Sequence, residues 1–178
     1  MINDRRLARR YAKAFLHEDI APADLDRMAE ELKAIVRALE SDPAAHEFFV
    51  NPVTKRKDKL TSIGNIADKL KLSALTKSML ELLVKKDRFA IIDAVAAELQ
   101  EASDMVNDRV RVVLTTSREP SVAEIDDIAG RVGTFFKRRT VVERIIEPSI
   151  IDGFIIEGDG KLIDMSITGQ LRRILTKV

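Results

Sequence analysis

The spacing of apolar residues changes once along this chain, near Asn107-Asp108, and that change constrains the fold more than any other feature. Before it, apolar side chains recur every three or four residues, which is typical of helices. After it, Val110, Val112 and Leu114 alternate with more polar neighbours, as in a half-buried strand. We therefore predict an α+β protein with a helical domain over residues 1–106 and a small α/β domain over residues 107–178.

Six helices are predicted in the first half, packed as a bundle. The second carries the clearest apolar stripe, with charged residues opposite it: Leu25, Met28, Leu32, Ile35 and Leu39. Asp42-Pro43 is a start signal for the third helix, and Asn51-Pro52 is expected to end it. Thr54 and Ser73 are predicted to cap the fourth and fifth helices, and the sixth is expected to begin near Phe89.

The second half predicts a mixed sheet, one inner helix and a terminal helix. Ser121-Val-Ala-Glu124 is a capping box, and the helix after it has the apolar stripe Val122, Ile125, Ala129, Val132 and Phe136. The β-branched run Val141–Ile146 favours a strand. Two further strands, Phe154–Glu157 and Leu162–Asp164, are joined through Asp159-Gly160, a strong hairpin signal. Ser166 is expected to cap the terminal helix.

Composition excludes several classes of protein. The chain has 30 basic and 29 acidic residues, a net charge of +1, and only 4% aromatic residues, which argues against a dedicated nucleic-acid binder. It has no cysteine, so disulfides and thiolate zinc sites are excluded. No apolar run approaches the roughly 18–20 residues of a membrane span, and no signal peptide is predicted at the start. We expect a soluble chain that meets a membrane only through a partner.

The residues that usually carry chemistry do not converge. His17 and His46 have no third ligand at metal spacing. Adjacent carboxylates such as Asp126-Asp127 point about 100° apart on a helix, so they do not meet on a substrate. The glycines at 153, 158 and 160 lack the Gly-Lys-Ser/Thr ending of a phosphate loop. We expect no catalytic residue, no cofactor and no metal.

The first helix is the best candidate for recognition. Small residues, Ala8, Ala12 and Ala14, surround the single tyrosine, Tyr11, and would let another helix approach closely. The same periodicity fits residues that simply pack inside the bundle, with equal weight. Basic clusters at Arg5-Arg6…Arg9-Arg10, Lys55–Lys57 and Lys137–Arg139 are either solvated or contact an acidic protein surface or anionic lipid.

Four segments resemble the delta subunit of bacterial F-type ATP synthase, the family of the mitochondrial oligomycin-sensitivity-conferring protein. Ala8-Arg-Arg-Tyr-Ala-Lys-Ala-Phe15 is similar to the family's first helix, and Asn51-Pro52-Val53 to the bend after its third. Glu81-Leu-Leu-Val-Lys-Lys-Asp-Arg88 matches a Leu-rich helix that ends in Asn-Gly-Arg, with Lys86-Asp87 in place of Asn-Gly. Glu147–Leu175 resembles the closing pattern, with Asp152-Gly153 in place of paired glycines and Met165 in place of the glycine of Asp-Gly-Ser.

The resemblance implies a non-catalytic stator subunit, present in one copy per complex, at the cytoplasmic face of the bacterial inner membrane. The helical domain would bind the N-terminal helix of an alpha subunit of the catalytic head, and the second domain would bind the b subunits of the peripheral stalk. Family residues carried over to the alpha contact are Leu7, Tyr11 and Ala14 on the first helix and Ser78, Leu82 and Lys85 on the fifth. Leu171, Ile174 and Leu175 are the expected stalk contact.

Two other hypotheses stay open on sequence grounds. One is a small helical nucleic-acid-binding factor of the antitermination type, which would need the basic clusters to converge on one face. The other is an enzyme, for which only ordinary surface carboxylates could be cited.

Overall fold

A computed structural model describes residues 2–16, 20–167 and 169. The chain is a mixed α+β protein that divides into two compact units, Met1–Ser103 and Asp104–Val178. Within the described residues it has seven α-helices and one four-stranded sheet. The Leu171, Ile174 and Leu175 side chains of the predicted stalk contact lie outside the described residues.

Helices make up the first unit. They are α1 (Ile2–Leu16), α2 (Pro22–Ser41), α3 (Pro43–Val50), α4 (Arg56–Leu70), α5 (Ala74–Lys85) and α6 (Ile92–Val106). A short 3-10 turn, Phe89–Ile91, precedes α6, so the sixth helical segment starts where the sequence predicted but tightens over its first residues. Helix α6 continues past the residue at which the two units divide.

One apolar cluster holds the helices of the first unit together. The predicted α2 stripe is confirmed, because all five of its residues are buried. Helix α5 buries a wider arc than α2: Met79, Leu80, Leu83 and Val84 are each at most 2% exposed. The elements that pack against α5 are α2, α4 and the 3-10 turn, so its buried arc has several neighbours within the unit.

In the first unit, the start signals were predicted correctly at Asp42 and Ser73 and wrongly at Thr54. The Asp42 carboxylate accepts hydrogen bonds from the backbone of Ala44 and Ala45, which caps α3. Thr54 does not cap α4; Lys55 stands at that position without a side-chain hydrogen bond. The reason is a turn in which the Thr54 backbone N–H donates to the Asn51 carbonyl. Thr54 is part of this turn, so the helix begins one residue later than predicted.

The half-buried carboxylate of Glu31 connects α2 to the start of α5 through hydrogen bonds. Glu31 accepts hydrogen bonds from the Ser73 backbone at 2.9 Å, the Ser73 hydroxyl at 2.8 Å and the Thr76 hydroxyl at 2.6 Å. The Ser73 hydroxyl also accepts from the Thr76 backbone, so the predicted cap of α5 is confirmed. Burial disfavours the charged carboxylate, but the hydrogen bonds from Thr76, Ser73 and Arg27 outweigh it and lower the pKa of Glu31 to about 2.

The second unit is built on a βαβ segment extended by a hairpin. Its strands are β1 (Arg109–Thr116), β2 (Arg139–Ile146), β3 (Phe154–Gly158) and β4 (Lys161–Asp164), and α7 (Val122–Phe136) connects the first two. The sheet order is β2-β1-β3-β4; β1 and β2 are parallel, and the other neighbours are antiparallel. The predicted mixed sheet is therefore confirmed.

Helix α7 packs with most of the predicted face, and Val122 is the exception. The capping box of Ser121 and Glu124 is present, but Val122 is 75% exposed. Val132 and Phe136 of the predicted stripe pack on the buried face of the sheet, which includes Val112 and Leu114, and Ile128 joins them. The sheet fixes which face of the helix is covered, and this depends on contacts that are distant in sequence.

Left-handed backbone closes the turns of the second unit. Asp159 and Gly160 both have positive φ, 51° and 69°, which gives the predicted two-residue hairpin its twist. At Asp152-Gly153 the left-handed residue is Gly153, with φ of 91°. A Cβ there would lie 2.5 Å from the Met165 carbonyl oxygen, so no larger residue fits. The turn therefore needs glycine only at residue 153, and Asp152 can replace the first of the family's paired glycines.

Replacing Glu31 tests how α5 is held. We expect Glu31→Gln to lower the free energy of unfolding at pH 7 by about 1–3 kcal/mol, because an amide cannot accept the same set of hydrogen bonds. The folded pKa lies below the unfolded value of 4.5, so the carboxylate stabilises the protein above about pH 4.5, and this stabilisation is lost as pH falls toward 2. The difference from wild type should accordingly shrink on acidification, measured by urea unfolding at several pH values.

The neighbouring Glu30 provides the control, since it is exposed on the same helix. Glu30→Gln should change the free energy of unfolding by less than about 0.5 kcal/mol at every pH. A gap between wild type and Glu31→Gln that stays constant from pH 7 to pH 3 would contradict the role assigned to the ionised carboxylate.

Candidate partner-binding surface

Helix α1 has a buried centre and an accessible edge. Ala8 and Ala12 are at most 2% exposed and belong to the core of the first unit, so these two small residues pack inside rather than receive a partner. Leu7 and Tyr11 are half-buried at the margin of that core, and Ala14 is exposed. The three residues carried over from the family therefore lie along one edge of α1, where an apolar surface meets solvent.

The α5 residues occupy a comparable position. Ser78, Leu82 and Lys85 are spaced four and three residues apart, so they follow one stripe of the helix. Ser78 and Lys85 are exposed and Leu82 is half-buried. The Lys85 ammonium lies 2.9 Å from Glu81 one turn earlier, an exposed pair that contributes little to stability.

Residues of α1 and the residue that follows α5 border one cleft. Its volume is about 610 Å³, and its lining includes Leu7 of α1 and Arg88, which follows α5. Leu7 is the one residue among the six predicted for the alpha contact that lines this cleft. The structure thus places part of the predicted first-helix edge beside the carboxyl end of the fifth helix.

A left-handed turn at the end of α5 places the next residue, Arg88, in the lining of this cleft. Asp87 has φ of 52°, and the Arg88 N–H donates to the Leu83 carbonyl at 2.8 Å while the Asp87 N–H donates to Val84 at 3.1 Å. These two bonds form a Schellman motif, the usual end of a helix before a left-handed residue. Asp87 occupies the position that the resemblance gives to glycine, and aspartate is among the few residues that tolerate this conformation.

The basic residues of α1 divide into two sets that the sequence did not separate. Arg5 and Arg9 face α6, where Arg9 lies 3.0 Å from the largely buried Glu98 and Arg5 lies 3.0 Å from Glu101. Arg6, Arg10 and Lys13 line the cleft without facing α6, and Arg9 borders both surfaces. Their spacing of four and three residues was the signal that could have identified them as one stripe.

The second unit offers an apolar groove. About 190 Å³ in volume, it lies between α7 and the hairpin and is lined by residues that include Val132, Phe135, Ile163 and Met165. Phe135 and Met165 are more than half exposed. The Ser166 hydroxyl accepts a hydrogen bond from the Gly169 N–H at 2.9 Å, as a helix cap does.

A cluster of metal-ligating side chains is not found in the part of the chain that the structure describes. There, no three of the His, Asp and Glu side chains are grouped so as to hold a metal ion. The Asp127 carboxylate of the Asp126-Asp127 pair is bound to Arg131 one turn later. Over residues 2–16, 20–167 and 169, no helix has both the length and the apolar character needed to cross a bilayer.

Comparison with known proteins gives a consistent family. A family model described as ATP synthase delta (OSCP) subunit matches residues 7–178. The ATP synthase subunit delta of Anaplasma marginale (strain Florida) is 29% identical over 169 residues, covering 95% of this chain and 88% of the relative. That of Rickettsia rickettsii (strain Sheila Smith) is 29% identical over 177 residues, covering 97% and 94%.

A solved structure shares the fold. A chain in the cryo-EM structure of the Toxoplasma gondii mitochondrial ATP synthase hexamer superposes with a TM-score of 0.70 at 18% identity, and 96% of each chain is covered. None of these matches supports the antitermination-type alternative. The family model spans nearly the whole chain, and the chain therefore belongs to the ATP synthase delta (OSCP) subunit family, a non-catalytic stator component of the F-type ATP synthase.

Proposed function

We propose that this chain joins the catalytic head of the ATP synthase to its peripheral stalk, through one copy per complex. Residues 1–106, as a six-helix bundle, bind the N-terminal helix of an alpha subunit. Residues 107–178 bind the b subunits. The joint keeps the head from turning with the rotor, so that proton-driven rotation is coupled to ATP synthesis. The membrane is reached only through the complex, at the cytoplasmic face of the bacterial inner membrane.

The half-buried edge of α1 carries the first part of the proposal. Leu7 and Tyr11 pack against the core on one side and meet solvent on the other. An amphipathic helix that lies on this edge would cover the exposed remainder, and Ala14 would let its backbone approach. Leu82, on the accessible stripe of α5 with Ser78 and Lys85, offers a second half-buried apolar contact.

Aromatic side chains of this kind are typical anchors of interfaces. A tyrosine has a rigid, amphipathic ring that loses little conformational entropy when a partner covers it. Tyr11 is the single tyrosine of the chain, and it stands between the other two α1 residues of the proposed contact, Leu7 and Ala14. This position makes Tyr11 the most informative residue to replace.

Replacing Tyr11 tests the contact with the head. We expect Tyr11→Ala in the full chain to weaken binding of a synthetic peptide from the alpha-subunit N-terminus by about 30-fold or more, the effect of losing about 2 kcal/mol at an anchor. Titration calorimetry at matched concentrations measures it. Phe48→Ala is the control, because Phe48 is a half-buried aromatic residue packed against the same core from α3.

The two variants separate recognition from stability. Equal losses of affinity in Tyr11→Ala and Phe48→Ala would show that the peptide responds to destabilisation of the helical unit. Unchanged affinity in Tyr11→Ala would remove Tyr11 from the contact, and a wild-type chain that binds no peptide would refute the proposed link to the head.

The stalk contact is proposed at Leu171, Ile174 and Leu175, whose spacing matches one side of a helix. Changing all three to alanine should weaken binding to a soluble fragment of the b subunits by at least tenfold, because the variant loses several buried side chains. The alpha peptide should bind this variant as it binds wild type. Surface plasmon resonance with each partner measures both.

A control for general loss of apolar surface is Val53→Ala combined with Leu70→Ala, since both residues are more than half exposed in the first unit. That variant should bind the stalk fragment normally. If the change at residues 171, 174 and 175 left stalk binding intact, the contact would have to lie elsewhere in the second unit.

A further inference from the structure

The cleft beside α1 is strongly basic, although the chain as a whole is nearly neutral. Its lining contains five cationic side chains, Arg6, Arg9, Arg10, Lys13 and Arg88, together with one carboxylate, Asp4. The net charge of the entire chain is only +1. Cations therefore outnumber carboxylates in this cleft, whereas the two nearly balance over the whole chain.

Four of these cations are available to a ligand. Arg9 is already held by Glu98 on the α6 side. Among the described residues, Arg6, Arg10, Lys13 and Arg88 form no ion pair, and all four are exposed. Like charges brought together without a partner repel one another, so an anion that enters the cleft is favoured.

The arrangement is linear rather than convergent. Arg6, Arg10 and Lys13 are spaced four and three residues apart and run along about 10 Å of α1, given a rise of about 1.5 Å per residue. A row of carboxylates on an opposing helix has a similar repeat. A single phosphate would span only part of such a row, and it would make no use of the apolar Leu7 that lines the same cleft.

The basic stripe adjoins the edge of α1 proposed for the alpha-subunit helix. At about 100° per residue, Arg10 and Arg6 follow Leu7 and Ala14 directly around the helix, between that edge and the side on which Arg5 and Arg9 face α6. A helix that lies on Leu7 and Tyr11 would therefore have one flank over the unpaired cations. Because those side chains are positively charged, the flank of the bound helix that lies over them needs negative charge.

We propose that the helix bound by α1 has acidic residues on the flank that faces this cleft, and that Arg6, Arg10, Lys13 and Arg88 bind their carboxylates. This inference rests on the proposed function, because it describes the chemistry of the partner at the same surface. The apolar edge would supply most of the affinity, while the cations would fix the register and direction of the bound helix and speed its association.

Charge reversal tests the proposal with the full chain and a synthetic peptide from the N-terminus of the same organism's alpha subunit. At about 50 mM salt we expect Arg6→Glu with Arg10→Glu to bind the peptide at least tenfold more weakly than wild type. At about 500 mM salt screening should reduce the difference to less than threefold. Glutamate is a good helix former, so α1 should remain folded, which circular dichroism checks.

The matched control reverses two exposed cations elsewhere in the same unit, Arg37 on α2 and Lys57 on α4. Arg37→Glu with Lys57→Glu produces the same change in net charge and should bind within twofold of wild type. A second peptide with its carboxylates replaced by amides should bind wild type more weakly, and it should no longer distinguish wild type from the Arg6 and Arg10 variant.

The outcomes separate this inference from the proposed function. Binding of the peptide by the Arg6 and Arg10 variant within twofold of wild type at low salt would overturn the inference, while a loss in Tyr11→Ala would still support the alpha contact. No binding by wild type would overturn both. If the variant bound the peptide normally but lost binding to vesicles containing about one third phosphatidylglycerol, the cleft would serve an anionic lipid, and the proposal would be wrong.

Discussion

The helical unit depends on how α5 is held at its first turn. The buried face of that helix begins in its first turn, at Thr76, so the N–H groups on that side need partners within the protein rather than water. Ser73 provides one through its hydroxyl, and Glu31 of α2 fixes Ser73 and Thr76 in turn. A negative charge at a helix start is also favoured by the helix dipole. One carboxylate thus fixes the first turn of α5 against α2, and the apolar core holds the rest of the helix that carries the Ser78, Leu82 and Lys85 stripe.

Helix α1 combines two tasks because its faces differ in chemistry. Ala8 and Ala12 are small enough to bring its backbone close to the core, and Arg5 and Arg9 attach one flank to Glu98 and Glu101 on α6. Glu98 is only 6% exposed, so the Arg9 pair is better shielded than an ordinary surface pair and holds the helix in one orientation. With that flank fixed, Leu7 and Tyr11 stay at the opposite edge. A helix anchored on one side only can present a stable surface on the other.

Local patterns in the sequence predicted the elements well, and long-range contacts account for what they missed. The α2 stripe, the caps at Asp42, Ser73 and Ser121, and the Asp159-Gly160 hairpin all depend on residues within a few positions of one another. The division of the α1 arginines depends on Glu98, which is 89 residues from Arg9. Likewise, the sheet decides which side of α7 is buried, and this excludes Val122. Spacing of four and three residues identified the stripes but not the neighbour that each stripe meets.

The turn after α5 shows how the chain keeps its geometry while it departs from the family pattern. Only one residue there, Asp87, must be left-handed, and aspartate takes that conformation at smaller cost than most residues. Its ion pair with Arg56, 2.6 Å long, is more than half exposed at both ends, so it adds little to stability. The two backbone hydrogen bonds of the Schellman motif therefore hold the turn, and they form with any residue that accepts the conformation. Because Asp87 keeps the left-handed turn that glycine makes in the family pattern, the chain leaves α5 in the same direction and Arg88 still lines the cleft.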